Sequence, residues 1–207
     1  MKMAVCLLTF LLANAESKPL EKVLTQLRTA EGFHSELSKK VHEGVMERDS
    51  ESSGVIYFSK GKMRLEIKKP EKLLIVYDGE FAWQEQEFDD GETKTAMVTK
   101  MNAKNLKKDS AVLAALLGDK NLLKDFGIQS QKETKGVKKY VLKPKSKKIS
   151  EVVSLTIEVK KGVLSQVSYI DSLQNEVSFI FKNLKEEKLS EKKFQYRPPR
   201  GAEVTAL

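Results

Sequence analysis

Two histidines, one cysteine and a run of carboxylates are the residues whose types and spacing could do chemistry. His34 and His42 stand eight apart with no cysteine or carboxylate at ligand spacing, so they read as solvated strand residues and no metal site is expected. The acidic run from Glu85 to Glu92 could supply the paired carboxylates that glycoside hydrolysis needs. It closes, however, on Asp89-Asp90-Gly91, a hairpin signal without an aromatic sugar platform, and so reads as a turn. No G-x-S-x-G, no glycine-rich phosphate loop and no histidine beside a plausible nucleophile appear. The chain reads as a binding protein, not an enzyme, and no cofactor is expected.

The N-terminus carries an address. Lys2 is a short basic region, Met3 to Leu12 is apolar, and Ala13-Asn14-Ala15 is an A-x-A cleavage signal. Export to the periplasm with cleavage after Ala15 is expected, leaving residues 16–207 as one domain. The apolar run is too short to span a bilayer. The sole cysteine, Cys6, would leave with the leader, so no thiol chemistry or lipid anchor is expected. The net charge of +8 would invite a nucleic-acid reading in a cytosolic protein. Here the lysines are scattered over strand and turn positions, and no nucleic-acid partner is expected.

The elements follow from hydropathy patterning. Lys18 to Ala30 places Leu20, Val23, Leu24 and Leu27 on one helical stripe. Phe33 to Met46 reads as a strand, followed by a serine-rich, acidic turn from Glu47 to Ser53. From Gly54 to Trp83 the chain reads as a meander. Val55 to Ser59 is β-branched and aromatic, Met63, Leu65 and Ile67 alternate with charged residues, and Leu73 to Tyr77 is an apolar run. Pro70 interrupts it and Asp78-Gly79 is a hairpin turn. Thr93 to Lys100 is a further strand. Asp109 or Ser110 can cap a helix over Ala111 to Leu117 that Gly118 stops, and Leu122, Leu123 and Phe126 continue an apolar face. Strands are expected at Ile128–Gln131, Gly136–Leu142, Val152–Lys160, Gly162–Ile170 and Glu176–Leu184. Val153, Leu155, Ile157 and Val159 keep strict alternation. Many consecutive strands with few helices imply a highly curved antiparallel sheet or incomplete barrel.

Three stretches carry a resemblance. Gly54-x-x-Tyr57 leads into Lys60-Gly-Lys-Met-Arg-Leu-Glu66, then Pro70, an apolar strand and Asp78-Gly-x-x-x-Trp83. Tyr140 to Lys145 contains L-x-P-K. Phe194 to Val204 reads F-Q-Y-R-P-P-R-G-A-E-V. Together these resemble the LolA-type periplasmic carriers of outer-membrane lipoproteins. The resemblance implies a mainly β fold with α: a strongly curved antiparallel sheet, an incomplete β-barrel, covered by a helical lid. It also implies acylated lipoproteins as cargo, an inner-membrane ABC exporter as donor, and an outer-membrane acceptor or the outer membrane itself as destination. A monomer is expected.

On this reading the acyl chains lie against Met63, Leu65, Ile67, Leu74, Val76 and Trp83. Leu20, Leu24, Leu113 and Leu116 belong to the lid, and Lys60 and Arg64 to its gating. Each apolar position reads equally as ordinary core, because periodicity does not say which strand face is concave. The resembled carriers have a Lys-Arg-Pro-like corner after the second strand, with an arginine implicated in holding the lid. Here the corner is Ser59-Lys60-Gly61-Lys62. Lysine lacks the planar fork of arginine, so a weaker clasp is expected. The usual tryptophan after Arg64 is Leu65, which reduces the aromatic wall. A lipid-sensing module, a carrier of another amphiphile and a purely structural envelope protein remain the alternatives.

Overall fold

The computed structural model describes residues 18–89, 94–102, 111–119, 121–146 and 152–207. The expected leader, the helix cap at Asp109 or Ser110 and the end of the acidic turn at Asp90-Gly91 lie outside them. Helix α1 spans residues 18–29. Six strands then meander: β1 (Phe33–Glu43), β2 (Arg48–Ser59), β3 (Lys62–Lys69), β4 (Leu73–Tyr77), β5 (Phe81–Asp89) and β6 (Lys94–Asn102). Two short helices follow, α2 (Ala111–Leu116) and α3 (Leu122–Asp125). A second meander comprises β7 (Phe126–Thr134), β8 (Val137–Pro144), β9 (Val152–Lys160), β10 (Val163–Asp171) and β11 (Glu176–Glu186). β11 pairs antiparallel with β1, which joins the two meanders into one sheet. A 3₁₀ turn (Glu191–Phe194) and β12 (Glu203–Ala206) end the chain.

The described residues form a 12-stranded sheet in the order β12-β6-β5-β4-β3-β2-β1-β11-β10-β9-β8-β7. It is open and curved, and β7 and β12 stay unjoined at its edges. All ladders are antiparallel except the one between β12 and β6. One face carries the core. Leu20, Val23, Leu24 and Leu27 of α1 and Ala114, Ala115 and Leu116 of α2 are buried in the same cluster as the inward residues of both meanders. The leucine stripe read from sequence is therefore the buried face of α1.

Gly54 shows why the pairing of β2 with β3 is close. A Cβ there would stand 2.0 Å from the Glu66 carbonyl oxygen, so any side chain would push the strands apart.

Three expectations on the elements change. Of the turn expected at Glu47–Ser53, Arg48 to Ser53 is instead the first half of β2, and β1 ends at Glu43. Cross-strand polar pairs replace hydrophobic alternation there: Arg48 with Glu43, Asp49 with His42, Glu51 with Ser38. The acidic stretch expected to be a turn is strand through Asp89. Glu85 and Glu87 are held by Tyr196 and Lys72, which gives those charges a reason to sit on a ladder. A register shift opposite Ile170 and Asp171 breaks the alternation of β9, turning Val152 inward and leaving Val153 exposed.

Candidate functional site

Strand register sorts the expected site residues into two groups. Phe33, Phe58, Met63, Tyr77, Ala82 and Met101 lie opposite one another in succession from β1 to β6. They share the helix-covered face with Leu65, Ile67, Leu73 and Ile75. The next row, one residue along, is His34, Tyr57, Arg64, Val76, Trp83 and Lys100. Because side chains alternate along a strand, that row points to the other face. Of the six residues expected to hold acyl chains, Met63, Leu65 and Ile67 thus lie together under the helices. Leu74, Val76 and Trp83 lie behind the sheet with Arg64 and Glu66. The sequence reading put all six on one surface; the one-residue offset between paired strands separates them.

The helix-covered face extends well past β3. Tyr140 and Leu142 of β8, Leu155 and Ile157 of β9, Val167 of β10 and Phe181 of β11 are buried in it. The alternation of β9 was a usable signal for this half of the wall, but the sequence reading placed the site on the first meander alone. Leu20, Leu24 and Leu116 are buried against this face, and Leu113 packs against it half-buried.

Two contacts hold the helices to each other and to the sheet. Gly118, just past α2, has φ +64°, and a Cβ built on it would stand 2.0 Å from the Leu24 carbonyl oxygen of α1. At the C-terminal end of α1, the Lys60 N–H donates to the Ala30 carbonyl at 3.2 Å and the Ser59 hydroxyl to that of Glu31 at 2.8 Å. The Lys60 ammonium lies 3.3 Å from the Glu31 carboxylate, with both side chains more than half exposed. Such a pair contributes at most about 1 kcal/mol. Two clefts flank α1. One, of about 340 Å³, lies between it and α3, lined by Leu24, Arg28, Gly118 and Leu123. The other, of about 430 Å³, lies against the ends of β7 to β10.

The back face is covered by the C-terminal segment, which the sequence reading noticed only as a motif. From β11 the chain crosses β2 to β5 and adds β12 beside β6. Lys193 lies 3.7 Å over the Tyr57 ring and 3.6 Å from Glu66, and Glu191 pairs with Lys62. Tyr196 stacks against Trp83 with ring centres 5.3 Å apart and donates its hydroxyl to Glu85. Burial and the Glu85 carboxylate push the Tyr196 phenol well above its ordinary range, so it remains a donor. Arg64 binds Glu66 at 2.6 Å, beneath this strap and away from the helices.

Burial tends to raise the Glu66 pKa, but the Arg64 hydrogen bond and the Lys193 charge outweigh it and hold the carboxyl below its ordinary value of 4.5. A folded-state value below the unfolded one stabilises the fold above about pH 4.5 and is lost as pH falls through the folded value. Glu66→Gln is therefore expected to narrow the difference in stability between pH 6 and pH 3. The change should stay under about 1 kcal/mol, since the pair is partly solvated. Urea unfolding of both proteins at the two pH values measures it, and an unchanged difference would show that the pairing does not form.

His34 lies 2.9 Å from Glu187 and His42 2.8 Å from Asp49, each beside a single carboxylate. Among the described residues there is no cluster of three or more histidine, cysteine or acidic side chains able to hold a metal. Nor is any helix among them long and apolar enough to cross a membrane.

An open antiparallel sheet with one apolar face under short amphipathic helices defines a class of β-rich binding domains. The family model for the outer membrane lipoprotein carrier protein LolA matches residues 28–197, and the chain belongs to that family. It is 25% identical over 196 residues to an outer-membrane lipoprotein carrier protein of Pseudomonas syringae pv. syringae, covering 93% of this chain and 90% of that one. It is 26% identical over 208 residues to one from Pseudomonas fluorescens, covering 99% and 96%. The fold is shared with an uncharacterised conserved protein from Thermus thermophilus, at 12% identity and a TM-score of 0.55 over 93% of this chain and 99% of that one.

Proposed function

We propose that this chain is a periplasmic carrier of lipoproteins. It takes their acyl chains from an inner-membrane ABC exporter onto the helix-covered face and releases them at the outer membrane. The observation that carries the reading is the weakness of one part of that face's cover, the segment at α2. The wall runs through Met63, Leu65, Ile67, Tyr140, Leu142 and Ile157, all buried. The cover at α2 is a six-residue helix whose buried residues are Ala111, Ala114, Ala115 and Leu116. So short a helix has little stability of its own, and buried alanines contribute little apolar area. An acyl chain that buries about ten methylenes gains about 8 kcal/mol before ordering costs, enough to displace such a cover.

Release requires that the displaced state not be too favourable. The exposed Lys60–Glu31 pair and the backbone contacts at Ala30 and Gly118 reclose the helices as the chains leave, with Lys60 the nearest counterpart of the arginine that the resembled carriers have at this corner. Met63 adapts to chains of varied shape because its unbranched side chain repacks without fixed geometry.

A photo-crosslinking residue at Leu65 is expected to trap acylated lipoprotein during release from spheroplasts carrying an intact exporter. One at Val76, on the strap side of the neighbouring strand, is expected to trap none. Trapping at 76 and not at 65 would reverse the binding face; failure to solubilise any lipoprotein would end the carrier reading.

A further inference from the structure

The cleft of about 430 Å³ beside α1 opens onto the helix-covered face at the end of the sheet formed by β7 to β10. Three lysines stand in its lining, Lys22 on α1, Lys138 on β8 and Lys161 in the turn before β10, against one carboxylate, Glu133. Lys138 lies 3.6 Å from Glu133, its register partner on β7. Lys22 and Lys161 have no carboxylate partner among the described residues. Below the lysines the lining becomes apolar, with Val23 from α1 and Val159 from β9.

At the bottom stands Tyr140, two residues along β8 from Lys138 and so on the same face. It is 0% exposed, and its hydroxyl has no hydrogen-bond partner. A buried hydroxyl without a partner is costly, and native structures keep few of them. Burial, and then the nearby Glu133 carboxylate, push this phenol above its ordinary range, so it stays a donor, and a ligand oxygen reaching it would supply the acceptor it lacks.

We propose that this cleft binds the anionic phosphate head of a phospholipid-like amphiphile, with Lys22 and Lys161 on the phosphate and the Tyr140 hydroxyl donating to an ester oxygen. The first methylenes lie against Val23 and Val159, and the rest of the chain continues under α1. The inference rests on the reading that acyl chains occupy the helix-covered face, and it adds a second cargo class to it. It also gives part of the positive charge a task beyond solubility.

The test uses the mature chain and two lysolipids of equal acyl length below their micellar concentrations, lysophosphatidylglycerol and lysophosphatidylcholine, with inorganic phosphate as a third probe. At low salt the anionic lipid is expected to bind about tenfold more tightly, the gap shrinking as salt screens the lysines. Lys22→Gln with Lys161→Gln is expected to abolish that preference. Tyr140→Phe is expected to weaken both lysolipids about threefold while raising the apo Tm, because it removes the unpartnered hydroxyl without changing shape. Equal binding of the two lysolipids overturns the headgroup site but leaves the acyl-carrier reading standing. Binding of neither overturns both. Inorganic phosphate binding as tightly as the anionic lipid would make this a free-anion site and overturn the lipid assignment.

Discussion

Gly118→Ala is expected to destabilise the protein by about 2–4 kcal/mol and to loosen both helices from the sheet. The residue meets two demands that alanine meets poorly. The Asp119 N–H bonds to the Ala114 carbonyl at 2.8 Å and the Gly118 N–H to that of Ala115 at 3.2 Å, the pattern that ends a helix with a left-handed residue. That conformation alone costs a residue with a Cβ about 1 kcal/mol. The new methyl group would also sit 2.0 Å from the Leu24 carbonyl oxygen. A backbone oxygen in the middle of α1 has no rotamer by which to move away, so the helices must separate.

The consequence reaches the helix-covered face. α1 and α2 touch at Gly118, so an opening begun at one is carried to the other. Gly118→Ala is expected to bind a hydrophobic dye in the apo state where the parent protein does not, alongside a lowered urea midpoint. A variant with an unchanged midpoint and no dye binding would show that the two helices are not packed as a unit. The same substitution at Gly136, with φ +75° and nothing within 4 Å of its Cβ, carries the conformational cost without the clash and is the control.

Much of this architecture was legible wherever hydrophobic pattern coincides with structure. Leu73–Tyr77 and Val152–Lys160 begin and end as read, because an apolar run bounded by turn residues leaves few alternatives. The leucines of α1 fall where a 3.6-residue period puts them. What failed was decided by partners distant in sequence. Arg48 to Ser53 form a strand because β1 supplies polar neighbours for them, which no local hydropathy signal announces. Leu74, Val76 and Trp83 are as apolar as Met63 and Leu65, and only the registers of β3 against β4 and of β4 against β5 reveal that they face the other way. Tyr140 falls within a motif, yet its orphaned hydroxyl arises from packing among residues far along the chain. The C-terminal segment is the extreme case: from Phe194 to Val204 it is legible only as a motif, and nothing within it states that Trp83 and Glu85 are its partners.

Phe194→Ala is expected to cost about 3–5 kcal/mol, the range for emptying a large buried aromatic site. Phe194 is 2% exposed, although it ends a four-residue turn near the C-terminus of the chain. Val76 and Val98 are equally buried, yet neither belongs to the helix-side core. Tyr196 of the strap reaches Trp83 and Glu85, the register partners of Val76 and Val98, and Phe194 is the strap's buried apolar residue, between the ion pairs of Glu191 and Lys193 and the Tyr196–Trp83 stack. Those charged contacts are partly solvated and cannot substitute for the aromatic ring. Losing the anchor also weakens the parallel pairing of β12 with β6, which depends on the strap arriving at that edge. Urea unfolding measures the cost, and a loss below about 1 kcal/mol would show that the strap contributes little to the fold. The two faces then separate stability from binding. A folded Phe194→Ala protein should still trap acylated cargo through a crosslinker at Leu65, because the strap lies behind the sheet and the proposed site of the acyl chains in front of it. Loss of trapping in protein that remains folded would mean that the back of the sheet sets the curvature of the front, and that cargo reads that curvature.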